Sequence, residues 1–242
     1  MSFDSNLIDI HCHKLEATDD LQVVSLDAHQ LTSPRTSISA PERALVTSCP
    51  TGQTDQAYFS LGIHPWFIEN QDIQAAFKTL NNYRNNPRLL AIGECGLDKC
   101  IDTPMTVQRE VFDYQIELAE QWEKPLIIHC VRAFNELIQI KKLKKPALPW
   151  IIHGFNHPPQ LAKQLLQHNC YLSFGKALLF TESKAAEALK LTPPDRFFLE
   201  TDDATDVPIS AIYSAAAKIT GLTIDDLSQQ IFSNFKRAFF HD

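Results

Sequence analysis

Two histidines separated by one residue, His11 and His13, stand at the end of a short apolar run that begins at Leu7. In an extended strand, side chains two positions apart project to the same side, so both imidazoles can point at one place. Neutral imidazole is the commonest metal ligand among side chains. The pair indicates a metal site beyond the end of a strand, although a His-x-His sequence also arises by chance.

Several later apolar runs also end in a histidine or a carboxylate. His64 follows LGI, Glu94 follows AIG, His129 follows LII, His153 follows WII and Asp202 follows FLET. Glutamate and aspartate are rarely buried unless they are paired or bound to a metal. The alternative is that these groups are buried polar residues satisfied by hydrogen bonds.

Four of these five histidines, together with the two carboxylates, already exceed what one divalent ion needs, because a catalytic zinc usually takes three protein ligands and a water. Two ions that share a bridging carboxylate would use the whole set and would activate a water for hydrolysis of a phosphoester or an amide. Mixed nitrogen and oxygen ligands suit zinc, manganese, cobalt or nickel, and four imidazoles suit magnesium less well. The remaining histidines receive no role: His29, His157, His168 and His241.

Eight apolar runs of strand length alternate with helical patterns, and this alternation predicts parallel strands with helical crossovers. The predicted strands are Leu7–Ile10, Leu21–Leu26, Ala57–Ile63, Leu89–Ile92, Leu126–Ile128, Trp150–Ile152, Cys170–Ser173 and Phe197–Leu199. Eight such units predict an α/β fold, a (β/α)8 TIM barrel whose active site lies at the carboxyl ends of the strands. An open doubly wound sheet is the alternative, but no glycine-rich phosphate loop follows any strand.

The first two β/α units are expected to be reduced. The connection after the first strand is too short for a helix that packs back on the sheet. Residues 27–56 are rich in Ser, Thr and Pro without a clear period, so irregular structure with a helical turn is expected there. Lysines within 141–145 form a basic cluster, which is expected at the end of the helix after strand five and away from the site.

The chain has 242 residues, of which 44% are hydrophobic and 21% charged, as in ordinary globular proteins. We expect one domain, residues 1–242, of undetermined oligomeric state with a monomer favoured. Neither a signal peptide nor a run long enough to span a membrane is present. Six cysteines without a C-x-x-C pair indicate free thiols in a reducing cytoplasm. The net charge of −7 argues against a strongly basic nucleic-acid groove.

Six segments together resemble the TatD family of metal-dependent hydrolases. DIHCH, GIHPW, IGECGLD, KPLIIHC, IIHGF and ETDD occur in the order of that family's motifs and near their spacing, over most of residues 7–205. The chain looks like a short, divergent branch. The resemblance implies a TIM barrel of the metal-dependent hydrolase type that uses divalent metal. It also implies nuclease activity, of which a 3′-5′ exonuclease acting on DNA is the expected form.

The resemblance also implies roles for individual residues. It implies six metal ligands: His11, His13, Glu94, His129, His153 and Asp202. Glu94 matches the carboxylate that bridges two ions, and His129 and His153 match the ligands of the second ion. Asp202 matches an aspartate that binds the first ion and takes a proton from the attacking water, a role that a carboxylate beside such a water can fill. The implied catalytic residues are therefore Asp202 and Glu94.

Three further residues are expected near the substrate. His64 resembles a position that faces substrate, where an imidazole can donate to a phosphate oxygen. Trp66 is either a stacking surface for a base or a residue packed between loop and barrel. Arg132 either reaches a phosphate or is an exposed arginine at a helix start.

This chain departs from the family pattern at the mouth, where Asp203-Ala204 stands in place of a common Ser-Pro. The extra carboxylate argues against a polyanionic substrate. The leading hypothesis is a two-metal phosphodiesterase acting on DNA ends or on a small phosphoester. The alternative is an enzyme that cleaves a C–N or carboxylic ester bond in a small molecule. A third hypothesis is a non-catalytic metal-binding protein on a decayed enzyme scaffold.

Overall fold

A barrel of eight parallel strands, β1 to β8 in chain order, forms the centre of the protein. The computed structural model describes residues 7–32, 39–47 and 57–240. The strands are Ile8–Cys12, Leu21–Asp27, Ala57–Gly62, Leu89–Asp98, Leu126–Val131, Trp150–Ile152, Cys170–Phe174 and Phe197–Leu199. A parallel bridge between Cys12 and Asp202 joins the last strand to the first. The TIM-barrel prediction is thus confirmed.

The fourth strand is longer than predicted. The apolar run predicted an end at Ile92, but β4 continues to Asp98 because it stays paired with β5 as far as Asp98 and Val131. Gly93 interrupts the apolar pattern, and a Cβ added there would lie 2.5 Å from the carbonyl oxygen of Ile127. Glu94 therefore lies within a strand, not after one.

Helices cover the barrel and follow most strands. In the described part of the chain the α-helices α1 to α9 are Ala28–Thr32, Ala40–Thr47, Ile73–Asn82, Met105–Trp122, Phe134–Lys144, Pro159–Gln167, Lys184–Leu189, Ile209–Thr220 and Ile224–Phe235. The strands read as near-continuous apolar runs because both of their faces are buried. Tyr213 of α8 fixes a helix to β1: its hydroxyl donates to the carbonyl of Ile8 and accepts from the amide of Ile8, both at 3.1 Å.

The first two units are reduced, as predicted. Residues 13–20 connect β1 to β2 without a helix. In the next connection two short helices, α1 and α2, lie where irregular structure with one helical turn was expected. The remainder of that segment, 33–38 and 48–56, lies outside the described residues.

The basic cluster at residues 141–145 belongs to the end of α5, where the chain turns toward β6 and away from the carboxyl ends of the strands. Lys141 is buried, with its ammonium 4.5 Å from the ring centre of Trp150. Lys144 pairs with Asp113 at 3.4 Å. The cluster thus lies at the end of the helix after strand five and away from the site, as predicted, with Lys141 buried and the other three lysines exposed. Among the described residues, the helices lack the combination of length and apolarity that a membrane crossing requires.

Candidate metal centre

Glu94 lies at the centre of a cluster of histidines at the carboxyl ends of the strands. The barrel brings seven of the nine predicted site residues to one place: His11, His13, His64, Glu94, His129, His153 and Asp202. They come from β1, β3, β4, β5, β6 and β8 or from the residues directly after these strands. Parallel strands of a closed barrel open on the same face, so residues distant in sequence converge there.

One oxygen of Glu94 faces the first strand and the last. Oε2 lies 3.5 Å from Nε2 of His11 and 3.6 Å from Nε2 of His13. Oδ1 of Asp202 lies 3.6 Å from the same atom of His11 and 3.4 Å from that of His13. These separations are long for hydrogen bonds but match the roughly 3.4 Å between ligand atoms around a tetrahedral ion with bonds of about 2.0–2.1 Å.

The other oxygen of Glu94 faces three histidines from later strands. Oε1 lies 2.7 Å from Nε2 of His153 and 3.0 Å from Nδ1 of His129. It also lies 3.0 Å from Nε2 of His64. One carboxylate therefore presents a different oxygen to each of two groups of side chains.

Buried nitrogens without partners mark the first group. Within the described residues, neither ring nitrogen of His11 has a hydrogen-bond partner, although the side chain is fully buried. Burying a polar group without a partner costs about 1–3 kcal/mol. A cation among His11, His13, Asp202 and Glu94 would satisfy Nε2 of His11, the nitrogen that faces both carboxylates, so the donor set fits a divalent ion.

Carboxylates and imidazoles shift one another's pKa values in this cluster. Burial alone would raise the pKa of Glu94, but the His153 imidazole, with contacts from His11 and His129, holds it well below its usual range. Burial likewise opposes ionisation of Asp202, yet contacts from His11 and His13 hold its pKa well below its usual range. Both carboxylates are therefore anionic and suited to bind cations.

Two buried carboxylates beside the histidines were not predicted, and only Asp98 lies within hydrogen-bond distance of one. Oδ2 of Asp98 lies 3.1 Å from Nε2 of His129. Glu200 is fully buried, and its Oε1 lies 3.8 Å from Nδ1 of His153. Both could have been found by alternation: Asp98 stands four residues after Glu94 in one strand, and Glu200 stands two before Asp202.

The family described as TatD related DNase matches residues 8–240 of the chain. The chain belongs to the TatD family. An uncharacterized metal-dependent hydrolase, YabD of Bacillus subtilis strain 168, is 29% identical over 201 residues, which cover 76% of this chain and 78% of YabD. The human 3′-5′ RNA nuclease TATDN2 is 34% identical over 155 residues, which cover 61% of this chain and only 20% of the human protein.

Solved structures agree with the barrel of this TatD-family chain. YjjV, a TatD homologue from Escherichia coli K12, superposes with a TM-score of 0.79 at 22% identity, covering 97% of this chain and 98% of that chain. A TatD-family hydrolase from Entamoeba histolytica gives 0.76 at 14% identity with complete coverage of both chains. These likenesses establish the fold. The family match makes the protein a TatD-family metal-dependent hydrolase.

A cavity of about 350 Å³ opens beside the cluster in the TatD-family chain. His64 and Trp66 line it. Trp66 is 54% exposed, while its indole nitrogen donates to Oδ2 of Asp98 at 2.7 Å. Arg132 is exposed at a backbone φ of 54° and lies outside the lining of this cavity.

The rim of the cavity carries a charge pair. Nζ of Lys176, at the start of the short 3₁₀ helix Lys176–Leu179 after β7, lies 2.6 Å from Oδ1 of Asp203. The additional carboxylate at the mouth thus has a cationic partner that the sequence motifs did not indicate.

Of the histidines without an assigned role, His29 pairs with Asp27 at 2.7 Å and His241 lies outside the described residues.

Proposed function

We propose that this protein hydrolyses phosphodiesters with two divalent ions, acting as a 3′-5′ deoxyribonuclease on the end of a DNA strand. The observation that carries the proposal is that the two carboxylate oxygens of Glu94 face two different pairs of histidines. Oε2 faces His11 and His13, while Oε1 faces His129 and His153. The proposed ligand set is His11, His13 and Asp202 for the first ion, His129 and His153 for the second, and Glu94 as the bridge.

Divalent ions at such a site acidify water and stabilise the charge that develops on a transferring phosphoryl group. The protein's own groups complete the chemistry. The ionised Asp202 carboxylate borders the cavity and can accept the proton that an attacking water loses. Glu94, buried and anionic, holds the two halves of the centre at a fixed separation.

His64 is the proposed donor of a hydrogen bond to the substrate. The backbone amide of Trp66 donates to Nδ1 of His64 at 3.1 Å, so that nitrogen carries a lone pair and the hydrogen of the neutral ring is on Nε2. Burial lowers the pKa of His64, which favours the neutral ring. That Nε2–H group contacts Oε1 of Glu94 at 3.0 Å, so a substrate phosphate that accepts from it would replace this contact. The exposed face of Trp66 offers a surface on which a base could stack.

The family description and one relative support nucleic acid as the substrate, since the family is described as TatD related DNase and TATDN2 is named an RNA nuclease. Manganese, zinc, nickel or magnesium would serve as the ions. Every described cysteine is free, and Cys95 and Cys130 adjoin Glu94 and His129. This arrangement supports the proposal that the protein works in the reducing cytoplasm.

An acidic mouth favours a second candidate, cleavage of a C–N or ester bond in a small molecule. Asp27 and Asp203 line the same cavity as the proposed centre. Carboxylates at a mouth repel a polyanion more than they repel a neutral substrate.

Metal-depleted protein reloaded with each ion tests both candidates. End-labelled single-stranded DNA, RNA of the same sequence, a chromogenic phosphodiester and a chromogenic carboxylic ester are the substrates. We expect metal-dependent removal of nucleotides from the 3′ end of DNA. We expect Glu94→Gln and Asp202→Asn to lose this nuclease activity. Faster cleavage of RNA or of the carboxylic ester would show that DNA is not the preferred substrate. Turnover that does not depend on metal and is unaffected by both substitutions would overturn the proposal.

The three substrate-side residues need separate variants. Arg132→Ala tests whether this arginine reaches a phosphate beyond the cavity, and a raised KM for long but not for dinucleotide substrates is expected. If the protein binds metal but turns over none of the substrates, the hypothesis of a non-catalytic metal-binding protein would be favoured instead.

A further inference from the structure

Asp98 connects a proposed metal ligand to the lip of the cavity. Its side chain is buried at 2% exposure at the end of β4. Oδ2 of Asp98 lies 2.7 Å from Nε1 of Trp66 and 3.1 Å from Nε2 of His129. The other oxygen, Oδ1, accepts from the backbone amide of Cys100 at 2.7 Å. Three donors thus converge on one carboxylate.

This arrangement determines which ring nitrogen of His129 carries the hydrogen. An indole N–H is only a donor, and an ionised carboxylate is only an acceptor. The Trp66 indole and the Cys100 amide, which can only donate, each contact one oxygen of Asp98, so both oxygens act as acceptors. Nε2 of His129 therefore carries the hydrogen that contacts Asp98, and Nδ1 of the neutral ring carries the lone pair.

That lone pair faces another acceptor. Nδ1 of His129 lies 3.0 Å from Oε1 of Glu94. Two lone pairs at this separation repel each other unless a positive charge lies between them. Asp98 thus determines which nitrogen of His129 is available to a cation beside Glu94, as carboxylates behind ligating histidines do.

We propose that Asp98 is a positioning residue that orients His129 toward the second ion and ties that ion's binding to Trp66 at the cavity lip. The inference rests on the proposed function, because it assumes two ions. A cation on Nδ1 withdraws electron density from the ring and strengthens the hydrogen bond from Nε2 to Asp98. Trp66 shares the same oxygen, so occupancy of the second position changes the surroundings of the indole.

Asp98→Asn separates this role from a structural one. An asparagine can keep its carbonyl oxygen on the amide of Cys100, but its NH₂ group then faces Trp66 and His129. His129 can satisfy that NH₂ group only with a lone pair on Nε2, which moves the ring hydrogen to Nδ1, where it blocks a cation. The variant preserves shape and reverses the pattern of donors.

The main measurement is a titration of the metal-depleted full chain with Zn²⁺, monitored by calorimetry. We expect two equivalents in the wild type, and in Asp98→Asn one unchanged equivalent and a second weakened by about 10- to 100-fold. Asp102→Asn, the same substitution at an exposed position four residues away, should bind like the wild type. Two equivalents of unchanged affinity in Asp98→Asn would overturn the inference, whereas one equivalent in the wild type would refute the two-metal proposal itself.

Tryptophan fluorescence tests the link to the lip. Binding of the second Zn²⁺ equivalent should change the emission of the wild type, and Trp66→Phe should abolish this change while retaining both equivalents. ¹⁵N NMR of the histidines should place the ring hydrogen of His129 on Nε2 in the wild type and on Nδ1 in Asp98→Asn. A His129 tautomer that is the same in both proteins would contradict the proposed role even if the variant unfolds more easily.

Discussion

His13 and Asp202 are joined twice. The backbone amide of His13 donates to the carbonyl of Asp202 at 3.1 Å, and Nε2 of the His13 ring lies 3.4 Å from Oδ1 of the Asp202 carboxylate. Asp202 has a backbone φ of 56°, a left-handed conformation that aspartate tolerates better than most residues. The segment after β8 that bonds to the end of β1 therefore also places the carboxylate in the candidate centre.

Asp202→Asn should lower kcat for a phosphodiester by about 10²- to 10⁴-fold, because the amide cannot accept a proton from water. The same change should weaken binding of the first ion, since a charged ligand is lost. Steady-state kinetics and metal analysis measure the two effects. Asp225→Asn, an exposed site in α9, is the matched control and should behave like the wild type. Retention of most of the turnover in Asp202→Asn would exclude this residue as the proton acceptor.

His64→Gln distinguishes a substrate contact from a metal ligand. Nε2 of His64 lies 3.0 Å from Oε1 of Glu94, and His64, Glu94 and His129 could also hold an ion between them. If His64 donates to the transferring group, the variant should keep two metal equivalents and lose about 10²- to 10³-fold in kcat. Loss of one metal equivalent, measured by calorimetry, would make His64 a ligand instead. His153→Gln, at a proposed ligand, provides the comparison that should lose metal.

Asp203→Asn should improve binding of an oligonucleotide. The substitution removes a charge from the cavity rim and frees Lys176, now 2.6 Å from that carboxylate, to contact a phosphate. A unit charge some 6 Å from a phosphate in water is worth about 0.7 kcal/mol, so KM should fall about threefold at low salt. The gain should shrink as ionic strength rises, because salt screens exposed charges.

Asp195→Asn provides the control for this charge change. Asp195 precedes β8, at the opposite end of the barrel, and pairs with Arg237. It should leave KM for the oligonucleotide unaltered. An unchanged KM in Asp203→Asn as well, measured across a salt series, would favour the small neutral substrate of the second candidate function.

Lys141→Met should stabilise the protein near neutral pH. Burial lowers the pKa of Lys141 from its usual 10.5, so the ammonium is less favourable in the folded state than in the unfolded chain. Between the lowered pKa and 10.5 the unfolded chain binds more protons, and the free energy of unfolding therefore rises with pH across that window. Methionine keeps the packing against Trp150 without the charge, so this rise should disappear.

Denaturant unfolding from pH 7 to 10.5 measures the effect, with the exposed neighbour changed in Lys142→Met as control. A lower stability of Lys141→Met at pH 7 would mean that the contact between the ammonium and Trp150 outweighs the cost of burial.

The hydrophobic pattern of the sequence predicted the strands of the barrel well, because each strand is a short apolar run that is buried on both faces. The strands Trp150–Ile152 and Phe197–Leu199 were predicted with the observed bounds, because a proline or a charged residue precedes each apolar run and a polar residue follows it. The fourth strand was cut short at Ile92 because Gly93 and Gly96 interrupt its apolar run. Those glycines allow close approach of β5, a contact between strands that one strand's own sequence does not reveal.

The amino-acid sequence by itself determined which chemistry-bearing residues lie toward the carboxyl ends of the strands, and the order of the strands then required those ends to meet. Only the tertiary structure decided which oxygen of Glu94 faces which histidine, that Asp98 lies behind His129, and that Lys176 neutralises Asp203. The physical reason is that strand period and burial are local properties of the chain. Contacts between side chains 27 to 35 residues apart depend on barrel closure, stagger and side-chain rotation, which neighbouring residues do not encode.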